Sequence, residues 1–161
     1  MNTVVFVLVT FLHNLFTAIW IGGLMVAALS FLPALKETLD EAPKIQRVMT
    51  AFQRRQSLWV YISIVGLIVT GVLMTNRSPK FDGFFAFSNG YSVALSIKHV
   101  LVLIMVAIAL FRTIGLTRTR LAAAKRERVS LQLLLANASL GVLVLLTTAI
   151  VTSFARPLAG G

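Results

Sequence analysis

The sequence predicts an all-α integral membrane protein, a bundle of four transmembrane helices. The chain has 161 residues, of which 58% are hydrophobic and only 12% charged, and its mean hydropathy is +0.90. A soluble domain of this size needs more polar surface than that. Four stretches are apolar over the roughly 20 residues that a helix needs to cross a bilayer. The whole chain, 1–161, is therefore predicted to be a single transmembrane domain.

The four predicted spans cover about residues 4–35, 57–75, 91–111 and 129–154. Eleven of the 15 lysines and arginines lie between spans 1 and 2 or between spans 3 and 4, at positions 36, 44, 47, 54, 55, 112, 118, 120, 125, 126 and 128. The opposite side has only Arg77, Lys80 and Arg156, with Lys98 just inside span 3. Cytoplasmic loops carry such an excess of positive charge. The sequence therefore predicts cytoplasmic basic loops, outer termini (N-out/C-out) and residence in a plasma (inner) membrane, of prokaryotic type.

The net charge of +10 is placed where it would meet anionic lipid headgroups. Membrane lipid is therefore the expected partner, and nucleic acid is not. The chain has no cysteine, which excludes disulfides, thiolate metal sites and covalent attachment of a c-type haem.

The two connections on either side of span 2 have patterns of their own. After Pro43, apolar residues recur at helical spacing (Ile45, Val48, Met49 and Phe52). This pattern predicts either an interfacial amphipathic helix or a cytoplasmic extension of span 2 packed on the bundle. The outer connection, residues 76–90, carries four phenylalanines, at 81, 84, 85 and 87. They are expected to enter the interface or to contact another membrane subunit or a second copy of the chain.

Ionisable residues inside spans are costly and mark functional sites. The clearest three are His13 in span 1 and Lys98 with His99 in span 3. His13 lies roughly 13 Å past Val4, and His99 lies roughly 12 Å past Tyr91, at 1.5 Å per residue. Because spans 1 and 3 run in the same direction, the two imidazoles are predicted at similar depth. They would face each other if spans 1 and 3 pack across the bundle.

Two facing histidines are typical of a bis-histidine b-type haem held between helices. Trp20 shares a helical face with His13, and the small residues Gly66 and Thr70 would leave room for a porphyrin. Asn137 would orient a ligand or a propionate, or bond another helix. Lys98 would snorkel to headgroups or pair with a propionate. The leading hypothesis is thus a cytochrome b-like electron-transfer protein, a subunit of a larger membrane complex rather than a stand-alone enzyme.

Three alternatives stay open at this point. His13, His99 and Met74 would also suit a copper ion, as in a copper-handling protein or permease. An oxidoreductase could use Lys98 to hold a carboxylate. A cofactor-free accessory subunit would leave the histidines as interhelical hydrogen bonds.

Short motifs in all four spans resemble the membrane domain of the copper-resistance D family. They are H-x6-W-x-G-G (His13, Trp20, Gly22, Gly23), Thr70-Gly71, the lysine Lys98, and N-x3-G followed by L-L-T-T (Asn137, Gly141, 145–148). The resemblance implies a copper-uptake or copper-resistance membrane protein. Typical members have about twice as many helices and outer segments rich in methionine and histidine. His13 and Lys98 also resemble residues of the membrane protoporphyrinogen oxidase of haem synthesis, which implies a haem-related function instead.

Overall fold

The computed structural model describes residues 2–75 and 87–155, and within them the chain is helical apart from short connections. The α-helices are α1 (Thr3–Thr17), α2 (Gly23–Val26), α3 (Leu32–Thr38), α4 (Ala42–Thr75), α5 (Gly90–Leu110), α6 (Leu116–Arg118) and α7 (Ala123–Ala155). Three π-helical segments continue them, π1 (Ala18–Gly22), π2 (Ala27–Phe31) and π3 (Phe111–Gly115).

These elements form four continuous spans that are long and apolar enough to cross a membrane. They are span 1 (Thr3–Thr38), span 2 (Pro43–Met74), span 3 (Gly90–Gly115) and span 4 (Ala123–Phe154). The predicted four-helix membrane fold is confirmed. Spans 2 and 4 begin well before their apolar stretches, because the helix continues into the basic segments that precede them.

The amphipathic segment after Pro43 is the first part of α4, not a separate interfacial helix. Met49 is buried on this extension and packs with Leu32 and Leu35 of α3; Ile45 packs beside them. Of the two predicted arrangements, the extension of span 2 is therefore the one that forms, because its apolar face has a partner on span 1.

The spans are arranged so that span 1 lies diagonally opposite span 3. Helix α1 packs against α4, α5 packs against α7, and the second half of span 1 packs against α7. Spans 2 and 3 meet where the Tyr61 hydroxyl bonds the Thr113 hydroxyl. Both basic segments lie at one end of the bundle, called here the basic end, where Gln53 and Arg112 reach Ser130. Gly90 and Phe154 meet at the opposite end.

The core lies in the middle of the bundle and is built mainly by residues of span 1, α5 and α7. Each π-helical segment departs from the regular 3.6-residue turn, which rotates the residues that follow it. In π1 and π2 this places consecutive pairs, Trp20–Ile21 and Ala27–Ala28, in the core. Most of the remaining apolar side chains are exposed, as expected of a surface that faces lipid.

The adjacent residues Leu134 and Leu135 allow a comparison between a side chain packed in the core and one exposed to lipid. Leu134 is fully buried, whereas Leu135 is 48% exposed. We expect Leu134→Ala to lower the free energy of unfolding by about 1–2 kcal/mol, mostly through the cavity it leaves, because lipid also covers apolar side chains in the unfolded state. Leu135→Ala should change it by less than about 0.5 kcal/mol. Unfolding in mixed micelles, followed by circular dichroism, measures both; equal losses would contradict this core assignment.

Parts of the predicted surface lie outside the described residues. These are Arg77, Lys80, Phe81, Phe84, Phe85 and Arg156. Phe87, the last aromatic residue of the outer connection, is 71% exposed.

Candidate functional site

His13 is held by a hydrogen-bond chain from span 2. Its Nδ1 lies 2.9 Å from the Thr70 hydroxyl, and that hydroxyl donates its proton to the Gly66 carbonyl at 2.6 Å. Because the proton of Thr70 is committed to Gly66, the hydroxyl oxygen accepts from His13, so His13 carries its proton on Nδ1. In the neutral imidazole the lone pair is then on Nε2.

His99 has the same tautomer for a different reason. Its Nδ1 lies 2.7 Å from the carbonyl oxygen of Leu95, one turn earlier in α5. A carbonyl oxygen only accepts, so Nδ1 donates, and the lone pair of the neutral ring is on Nε2. Metal-binding histidines are commonly oriented in this way, with one ring nitrogen donating to a carbonyl or other acceptor and the other facing the metal.

Lys98 and His99 of span 3 both interact electrostatically with the partly buried His13 of span 1. These three residues are called here the histidine cluster. Lys98 has no hydrogen bond or salt bridge to the described residues. The similar depth of His13 and His99 stays a prediction from the rise of a helix.

The small residues predicted to leave room for a porphyrin are covered by side chains instead. The ring of Phe16 packs directly over Gly66. Thr70 is bonded to His13, and the His13 Cε1 atom would lie 3.7 Å from a Cβ on Gly71. On span 4, Ile21 covers Gly141, where an added Cβ would lie 3.0 Å from its side chain. These small residues thus allow the helices to pack closely. The prediction that they leave room for haem b gains no support from the structure.

Trp20 and Asn137 belong to a different site from the histidines. Both line a cavity of about 320 Å³ near the basic end, and both are almost fully buried, at 2% and 3% exposure. Trp20 follows His13 by seven residues, about 10 Å along the helix. Of the residues predicted to bind one cofactor, the structure therefore groups His13, Gly66, Thr70, Lys98 and His99 and sets Trp20 and Asn137 apart.

Sequence reasoning missed Arg112, which also lines this cavity. It was assigned to the basic loop because the predicted span ended at residue 111. A signal was present: Met105, Ala109 and Arg112 follow each other at spacings of four and three, and Met105 and Ala109 are buried. That spacing places Arg112 on the face of span 3 that points into the bundle.

The described residues contain no group of three or more histidine, cysteine, aspartate or glutamate side chains that could hold a metal ion. The histidine cluster, with two imidazoles and a lysine, falls short of such a group. Met74, one turn beyond Thr70 on span 2 and partly buried, is the methionine that the sequence places at this level.

The fold and the cluster define a class, a four-helix integral membrane protein with two histidines and a lysine between its helices. The chain matches the family model of copper resistance protein D over residues 46–151 and belongs to that family. The match covers span 3 and nearly all of spans 2 and 4, and with them Thr70, Lys98 and His99; the span that carries His13 precedes it. The predicted copper-resistance D resemblance is thereby confirmed.

Comparison with curated proteins and with solved structures finds no significant match. The resemblance to the protoporphyrinogen oxidase of haem synthesis gains no support from the family match, which is to a copper-related family.

Proposed function

We propose that this chain is a copper-handling membrane protein that binds one copper ion between His13 and His99. The observation that carries the proposal is the shared tautomer: each ring donates from Nδ1 to a fixed acceptor and has its lone pair on Nε2. Imidazole is a good ligand for copper, and neutral imidazole is the form that binds.

The residues beside His13 and His99 determine which oxidation state of copper the site prefers. Met74 is the candidate thioether, and a thioether selects Cu(I) over harder ions. Lys98 adds a positive charge beside the site, and the two carboxylates in the described spans, Glu37 and Glu127, lie at the basic end, away from the cluster. A monovalent ion therefore suits the cluster better than a divalent one, since repulsion rises with the charge of the ion.

The charge distribution supports an orientation with the basic end in the cytoplasm and both termini outside. The histidine cluster then lies in the outer half of a plasma membrane, accessible to copper arriving from outside. The exposed apolar surface contacts lipid, and the outer connection is the candidate contact for other membrane subunits or for a second copy of the chain.

The test is a Cu(I) titration of the purified chain against a colorimetric Cu(I) chelator, in neutral detergent and under reducing conditions. The expected result is one copper ion per chain, withdrawn from the chelator, with no Soret band in the visible spectrum of the starting material. A chain that takes no copper from the chelator would contradict the proposal. So would a chain purified with a reducible haem.

Thr70 provides a test of the tautomer. Thr70→Val removes the oxygen that accepts from His13 while keeping the shape of the side chain, whereas Thr70→Ser keeps the hydroxyl. Loss of such a supporting acceptor typically costs about 10–100-fold in metal affinity. We expect Thr70→Val to weaken Cu(I) binding within this range and Thr70→Ser by less than about threefold. Equal affinities of the two variants would show that this hydrogen bond does not orient a ligand.

A further inference from the structure

The cavity at the basic end contains several buried polar atoms that have no partner among the described residues. They are Trp20 Nε1, Gln56 Nε2, Arg112 Nη2 and Asn137 Oδ1. All four residues line the same cavity. A buried polar atom without a hydrogen bond costs free energy, so atoms that share one cavity indicate a common ligand.

These atoms are mostly donors, and one carries a positive charge. The Arg112 guanidinium is held by its Nε, which donates to the Ser130 hydroxyl at 3.2 Å, and this leaves Nη2 for a ligand. Trp20 Nε1 can only donate. No aspartate or glutamate lines the cavity, and the described residues contain a single salt bridge, Lys44–Glu41, which lies elsewhere. The charge of Arg112 therefore has no counter-ion among the described residues, which favours an anion in the cavity.

The mouth of the cavity is positively charged as well. Arg54 and Thr50 line it and are exposed at the basic end. An exposed arginine at the mouth raises the local concentration of anions. The walls are fixed by regular packing farther in, where Val60 is buried and Ala109 belongs to the core.

The backbone around the cavity is irregular at two of its walls. Trp20 lies in π1, and Arg112 with Thr113 lies in π3. Single-turn π-helical segments occur often at functional sites, because they redirect individual side chains. Here they direct an indole N–H and a guanidinium towards one cavity.

The side-chain oxygen of Asn137 limits which anions the cavity can bind. Its Oδ1 is an acceptor among donors, and it needs an O–H or N–H from the ligand. An ionised carboxylate has no such proton, whereas a phosphate group with a free P–OH offers acceptor oxygens and one donor together.

We propose that this cavity binds a phosphate group that retains a P–OH, with Arg112, Trp20 and Gln56 donating to its oxygens and Asn137 accepting from its hydroxyl. Two sources share this chemistry: free hydrogen phosphate and the headgroup of a phosphatidate. The site is independent of the copper proposal, because none of its residues contacts the histidine cluster through a described hydrogen bond.

The test measures two probes on the copper-free chain in neutral detergent: inorganic phosphate by calorimetry, and short-chain phosphatidate by native mass spectrometry. Saturable binding of phosphate identifies free phosphate, and binding of phosphatidate alone identifies the lipid. Sulfate, which has a similar shape but no proton at neutral pH, should bind at least about tenfold more weakly than phosphate if phosphate is the ligand. Binding of neither probe would overturn the proposal, and equal binding of sulfate and phosphate would overturn the role of Asn137.

Three variants locate the binding. Arg112→Gln should weaken it by about a hundredfold and Trp20→Phe, which loses only the indole N–H, by about tenfold. Arg118→Gln removes the same charge from an exposed position outside the cavity and should change it by less than twofold. If Arg112→Gln does not fold, Trp20→Phe carries the test. A loss in Arg118→Gln as large as in Arg112→Gln, or unchanged binding in Trp20→Phe, would overturn the proposal.

Discussion

Replacing His13 with alanine should lower the Cu(I) affinity of the purified chain by at least about a hundredfold. Removal of a mere supporting acceptor typically costs about 10–100-fold, so loss of a ligand itself costs as much or more. The same loss is expected for His13→Gln, which keeps a side-chain donor for Thr70 but has no imidazole Nε2. Competition with a chelator of known Cu(I) affinity measures both variants.

Asn14 provides the matched control for His13. It is the next residue along α1, it is polar, and it is exposed on the outer surface of the bundle. Asn14→Ala should leave the Cu(I) affinity within about twofold of the original chain. If Asn14→Ala weakens binding as much as His13→Ala does, the loss reflects disturbance of α1, and the assignment of His13 as a ligand is wrong.

The second large effect concerns Gly66 of α4, which the ring of Phe16 from α1 covers. A Cβ on Gly66 would overlap the ring of Phe16. We expect Gly66→Ala to lower the free energy of unfolding by about 3 kcal/mol, the cost of moving a packed aromatic ring. This loss would appear although alanine is intrinsically the better helix former by about 1 kcal/mol.

Gly71→Ala is the control for this prediction, because it lies in the same helix and meets the His13 ring only at an ordinary contact distance of 3.7 Å. It should be neutral or stabilising by up to about 1 kcal/mol. In a Phe16→Ala background the cost of Gly66→Ala should disappear. Denaturation in mixed micelles measures the series, and a Gly66→Ala cost that persists without the Phe16 ring would contradict the packing described here.

The sequence was sufficient to predict the four spans. A membrane helix must satisfy its own backbone and expose apolar side chains to lipid, so length and hydropathy determine where the spans lie. The similar depth predicted for His13 and His99 rests on the rise of a helix alone. Whether span 2 began at Pro43 or at residue 57 depended instead on whether Ile45 and Met49 found a partner, and that partner is Leu35, on another helix.

The side chains that meet inside the bundle were harder to predict from the sequence than the bounds of the spans. Small residues indicate a close approach but not what approaches; here Phe16 covers Gly66, where a porphyrin edge was expected. Trp20 and His13 would share one face of a regular helix, but Trp20 lies about 10 Å farther along the helix and lines a different cavity. Arg112 lay beyond the predicted end of span 3 and therefore was not recognised as a residue of the interior.

The central claim, copper bound between two imidazoles, is tested most directly by X-ray absorption at the copper edge of the Cu(I)-loaded chain. The account predicts first-shell nitrogen scattering with the outer-shell pattern of two imidazole rings, reduced to one ring in His99→Ala. A spectrum without imidazole scattering, or one unchanged in His99→Ala, would contradict it.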